Sequence, residues 1–107
     1  MSAFDEREQG FEKRYALGEE LRFKALARRN KLLGLWAAEK IGLEGGAAKA
    51  WADALVEREV GRADEEALVE TLAGTFANAK VDISTHRIRR KIEETMARAT
   101  LEISAGR

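Results

Sequence analysis

The sequence has no cysteine, no proline and a single histidine. Without cysteine there is no disulfide framework, no thiol nucleophile and no thiolate zinc site, and a reducing, cytoplasmic setting is expected. Without proline, glycines and capping residues must set the helix boundaries. Net charge is also lacking, because nineteen basic residues are matched by nineteen acidic ones. Domains that coat nucleic acid usually carry a clear basic excess, so this balance argues against such a role. No apolar run approaches the ~20 residues of a membrane-spanning helix. The opening Met1-Ser2-Ala3-Phe4-Asp5-Glu6 lacks the basic-then-apolar order of a secretory signal.

Alanine and charge are plentiful. Nineteen alanines and a composition 45% hydrophobic and 36% charged favour a folded, strongly helical globule. A chain of 107 residues has room for one domain. Between about Glu19 and Ile41, Leu26, Leu33, Ala37 and Ile41 recur at helical spacing, with Leu32 and Trp36 widening the stripe. Gly34 inside this apolar run implies close approach by another helix, and Gly42 suits a left-handed C-terminal cap. A second helix is expected over 47–60, with Ala48, Trp51, Leu55 and Val56 inward. A third is expected over 64–78, capped by Asp64, with Leu68, Leu72 and Phe76 inward. A fourth, over 84–104, is capped by Ser84 and stapled by Ile83 against Ile88; Ile88, Ile92, Met96, Ala99 and Ile103 form its stripe. Four amphipathic helices with short connections predict an all-α, antiparallel four-helix bundle over 19–107.

Net zero is a cancellation along this order: 19–41 sums to +3, 42–61 to −2, 62–82 to −3 and 83–107 to +3. Residues 1–18 stand apart as a flexible N-terminal arm. They hold Phe4, Phe11 and Tyr15, three of seven aromatics, with few aliphatics. Wound as a helix, these rings fall seven and four residues apart and make one narrow seam. Such a helix is marginal alone, since nucleation is costly and Gly10 costs roughly 1 kcal/mol against alanine. It has the form of a helix-in-groove ligand; the alternative is an extension of the bundle with its rings against helix one.

The runs Phe4-Asp5-Glu6-Arg7-Glu8, Phe11-Glu12-Lys13, Glu19-Glu20-Leu21-Arg22-Phe23-Lys24-Ala25 and residues 27–39, ARRNKLLGLWAAE, resemble the ζ subunit family of certain bacterial F-type ATP synthases. The resemblance covers nearly the whole length and is densest over 4–41. It implies a four-helix bundle whose mobile arm enters the catalytic F1 sector at an α/β interface beside the γ shaft and blocks hydrolytic rotation. The partners it implies are the α, β and γ subunits of F1. The free chain is then expected to be a monomer, cytoplasmic and peripheral to the inner membrane when bound, with no direct membrane insertion. The partner-facing residues carried over are Phe4, Arg7, Glu8, Phe11, Arg14 and Tyr15. This chain departs from the family pattern at Gly18, where an acidic residue is usual, and at Leu26, where a polar one is.

The residues themselves carry little catalytic chemistry. His86 has Asp82, Glu93 and Glu94 nearby but no nucleophile or second base, so an exposed first-turn histidine and a non-enzymatic protein are expected. The same solitude speaks against a metal site, although pairs such as Glu66 and Glu70 exist. Gly42-Leu43-Glu44-Gly45-Gly46-Ala47-Ala48-Lys49 partly resembles a phosphate-cradling loop, but lacks a preceding strand and a Ser/Thr after the lysine. No cofactor is expected beyond weak purine-nucleotide binding there. The rival reading is a nucleic-acid-binding or adaptor module that uses Arg28-Arg29-Asn30-Lys31 and Arg87-Ile88-Arg89-Arg90-Lys91 on helices one and four. Against it stand the neutral charge and the acidic neighbours Glu93 and Glu94.

Overall fold

The computed structural model describes residues 18–62 and 64–105. Among them are four α-helices and no strand: α1 Gly18–Lys40, α2 Gly45–Arg58, α3 Glu65–Asn78 and α4 Thr85–Ala105. The protein is all-α, with a four-helix architecture. Phe4, Arg7, Glu8, Phe11, Arg14 and Tyr15 lie outside the described residues, as does the rest of the arm up to Gly18.

The helices start and stop on local chemistry. Asp64 caps α3, its carboxylate accepting from the backbone N–H of Glu66 at 3.0 Å and Ala67 at 3.2 Å. Ser84 caps α4, its hydroxyl accepting from Arg87 N–H at 3.1 Å. At the end of α1, Gly42 sits at φ +91°; its N–H reaches Glu39 O at 3.1 Å while Leu43 N–H reaches Ala38 O at 2.9 Å. This pair of crossed bonds is a Schellman cap. The end of α3 repeats it without glycine. Lys80 takes φ +60°, its N–H reaches Ala77 O, and Val81 N–H reaches Phe76 O at 2.8 Å. Val81 then packs on the core that Phe76 belongs to, which supplies the apolar contact of the motif.

α1 is the spine. It packs along α2 on one side and α4 on another, and α3 closes against α4. Gly34 faces Ala52 and Lys31 pairs with Asp53, so residue numbers fall along α1 as they rise along α2. Arg28 with Glu102 and Trp36 with Lys91 show the same antiparallel sense between α1 and α4. The core joins Leu33 and Ala37, Leu55, Leu68, Val69, Leu72 and Phe76, and Ile88 and Ile92, drawing on all four helices. Trp36 meets Phe76 edge-on at 5.5 Å, tying α1 to α3 across the bundle.

Two stripes differ from expectation. Leu26, Met96 and Ile103 are only half-buried, whereas Ala25, Arg29 and Asn30 on α1 and Thr95 on α4 are buried. A helix that serves two neighbours needs a broader buried face than one stripe, and on α1 that face includes Ala25-Arg29-Leu33-Ala37 and Asn30-Gly34-Ala38. Thr95 tolerates burial because its hydroxyl donates back to Lys91 O at 2.7 Å and Ile92 O at 3.1 Å.

Candidate partner-binding site

The described structure begins where the arm joins α1. Gly18 holds φ +95°, a left-handed conformation that L side chains rarely adopt, although there is open space around its α-carbon. Glu19 and Glu20 follow in the first turn, where carboxylates complement the helix dipole.

The first turns of α1 project past α2. With Gly34 opposite Ala52, the last residue of α2, Arg58, lies level with about residue 28 of its antiparallel partner, given equal rise per residue. Phe23 precedes Asn30 by seven residues and Gly34 by eleven, so it lies on the face that α2 covers further along. By that register it lies past the end of α2, and Phe23 is 59% exposed. Leu26, about one turn on, is half-buried, while the neighbouring Arg22 and Lys24 are exposed.

Directly behind this end sits a group of buried polar residues. Arg29, Asn30 and Glu59 are all close to fully buried. The Arg29 Nε donates to Asn30 Oδ1 at 3.1 Å, and its Nη1 lies 3.5 Å from Glu65 Oε1 at the head of α3. Burial pulls the Arg29 guanidinium below its usual range, and the carboxylates of Glu65 and Glu59 oppose that pull. No buried side-chain nitrogen or oxygen among the described residues lacks a hydrogen-bond partner. The group joins α1, the end of α2 and the start of α3, bracing the helix from which the arm departs. On the other flank, Glu102 of α4 accepts from Arg28 at 2.6 Å and Arg98 at 2.9 Å, and these bonds hold its carboxyl below the usual carboxylate range.

The basic runs are largely engaged within the bundle. Lys31 pairs with Asp53, Arg89 forks onto Glu66, and Lys91 meets Glu94 while lying 5.6 Å over the Trp36 ring. Arg87 and Arg90 remain on the surface. His86 is exposed in the first turn of α4. Among the described residues no three His, Cys, Asp or Glu side chains gather to hold a metal ion. At the head of α2 the loop brings Gly45 to φ +57°, and Glu44 stands at the N-cap without a side-chain cap hydrogen bond. No described helix is long and apolar enough to cross a membrane.

Sequence reasoning did not find the Arg29–Asn30–Glu59 group. A signal was present: Arg29 and Asn30 stand one turn before Leu33 and Gly34, so helical spacing puts them on the buried face.

The family model described as ATPase inhibitor subunit zeta matches residues 1–102, arm included. The chain belongs to that family. No curated protein and no solved structure matches it. Membership in the zeta family gives the chain an inhibitory, regulatory role toward an ATPase.

Proposed function

We propose that this zeta-family chain inhibits ATP hydrolysis by the F1 sector of ATP synthase, its residues 1–18 inserting at a catalytic α/β interface near the γ shaft. The bundle over 19–107 stays outside as the anchor. The observation that supports this reading is the family match, which takes in the arm as well as the bundle. If fully helical, 18 residues reach about 27 Å, a useful depth for plugging a subunit interface. Phe4, Phe11 and Tyr15 supply the apolar seam, and Arg7, Glu8 and Arg14 pair with charges at the rim of the cleft. Ordering the arm on insertion costs conformational entropy, so affinity depends strongly on its few anchors. The free chain is a cytoplasmic monomer that becomes peripheral to the membrane through its partner.

ATP hydrolysis by a cognate F1, with the full chain or a chain starting at Glu19, tests the mechanism. The full chain should inhibit and the shortened one should not. Equal inhibition by both would place the activity in the bundle. Phe11→Ala should weaken binding by about 2 kcal/mol if that ring is an anchor, a shift of roughly 30-fold in the inhibitory concentration.

A further inference from the structure

We propose that the uncovered face of α1 around Phe23 is a second contact with the protein that receives the arm. Its complement is an apolar pocket at the mouth of the arm's cleft, with a carboxylate placed to meet Arg22. The inference rests on the functional reading above and adds a surface to it within the described residues.

Three observations support it. First, Phe23 belongs to the α2-facing side of α1 but lies beyond the end of α2, so a large aromatic ring is left 59% exposed where the helix further along is covered. Aromatic residues are enriched at protein interfaces, where a ring buried at the centre supplies much of the binding energy. Second, Phe23 lies five residues from Gly18, about 7.5 Å along the helix axis. The chain outside the described residues leaves at Gly18, so a cleft that takes the arm brings its mouth to this ring. Third, charge of both signs flanks the ring: Arg22 and Lys24 stand on either side of it, and the exposed Glu19 and Glu20 precede it by one turn. Arg22 is exposed and makes no ion pair among the described residues, and Lys24 only approaches Glu20 at 3.8 Å. A carboxylate on the partner answers the Arg22 guanidinium.

Leu101 is the internal comparison. It is 70% exposed, but it stands nine residues after Ile92, half a helical turn out of phase, and so on the outer face of α4. It should play no part.

The experiment measures inhibition of ATP hydrolysis by cognate F1 with the full chain, Phe23→Ala, Arg22→Glu and Leu101→Ala. Thermal unfolding and sedimentation of each free protein accompany it. Phe23→Ala should raise the half-inhibitory concentration at least tenfold with an unchanged melting midpoint. Arg22→Glu should raise it about threefold, and Leu101→Ala should leave it alone. Should Phe23→Ala lower the melting midpoint, Arg22→Glu carries the decision.

Wild-type inhibition matched by both Phe23→Ala and Arg22→Glu overturns the second contact while leaving the arm mechanism standing. Tighter inhibition by Phe23→Ala overturns it too, because the face is then occupied by the chain's own arm before binding. A free dimer that Phe23→Ala splits assigns the face to a second copy instead. If the wild-type chain neither inhibits nor associates with F1, the functional reading fails and this inference falls with it.

Discussion

At Gly34 the backbone of α2 comes so near that a methyl group has no room: an added β-carbon would stand 2.8 Å from the α-carbon of Ala52 and 3.0 Å from its β-carbon. Backbone cannot step aside as a flexible side chain can. Gly34→Ala should therefore destabilise the fold by about 1–3 kcal/mol, the usual cost of overpacking, despite the gain in helix propensity. Gly74 is the opposite case. It lies mid-helix in α3, exposed, with nothing within 4 Å of an added β-carbon. Gly74→Ala should stabilise by about 0.5–1 kcal/mol. Denaturant unfolding of the two variants checks both signs. Gly34 could be read from sequence because a glycine inside Leu32-Leu33-Gly34-Leu35-Trp36 has few reasons to be there other than a close crossing. Arg29 could not be read so easily. Its burial depends on Glu65 and Glu59, which approach only once three helices have met, and the periodicity of one helix carries no record of them. Lys80 was hidden for a related reason: a non-glycine residue at φ +60° is held there by Val81 and Phe76 packing together, not by its own preference.

Between elements, ion pairs join the basic helices to the acidic ones. Lys31 links α1 to Asp53 of α2, Arg29 links α1 to Glu65 of α3, and Arg89 links α4 to Glu66 of α3. The alternation of segment charge along the sequence thus reappears as a packing order, which the charges support without dominating, since most are exposed. Three carboxyls are held below their ordinary range: Asp53 by its bond to Lys31, Glu66 by Arg89, and Glu102 by Arg28 and then Arg98. A carboxyl depressed in the folded state stabilises above its unfolded pKa of about 4, and the contribution is lost as pH falls through the folded value. The melting midpoint should therefore drop between about pH 5 and pH 2. Glu102→Gln should flatten part of that slope, because it removes the titrating carboxylate shared by Arg28 and Arg98. Melting followed by circular dichroism across that range would show it; an unchanged slope would assign the acid sensitivity to other groups. The helix starts at Asp64 and Ser84 could be read from the sequence because caps are local chemistry. The choice of α1 as spine could not, because it depends on which of several apolar faces find each other.

For the whole molecule, the core cluster draws its residues from Leu33 to Ile92, far from the arm in sequence. A chain starting at Glu19 should accordingly keep the full chain's cooperative melt, with a midpoint within a few degrees by circular dichroism. Loss of that melt would mean that the first 18 residues help to build the bundle. The fold and the family could be read from the sequence over most of its length, but the surface around Phe23 could not. Residue order does not reveal that α2 stops level with the middle of α1 and leaves a ring uncovered.

The packing of the first helix along the last has a consequence for synthesis. As the chain leaves the ribosome, α1 and α2 can close on each other at Gly34 and Ala52, but the α4-facing side of α1 must wait for the final helix. At ~5–20 residues per second that wait lasts seconds, during which a half-covered hairpin carries the arm ahead of it. The first residues of the nascent protein thus emerge well before the four-helix scaffold is complete.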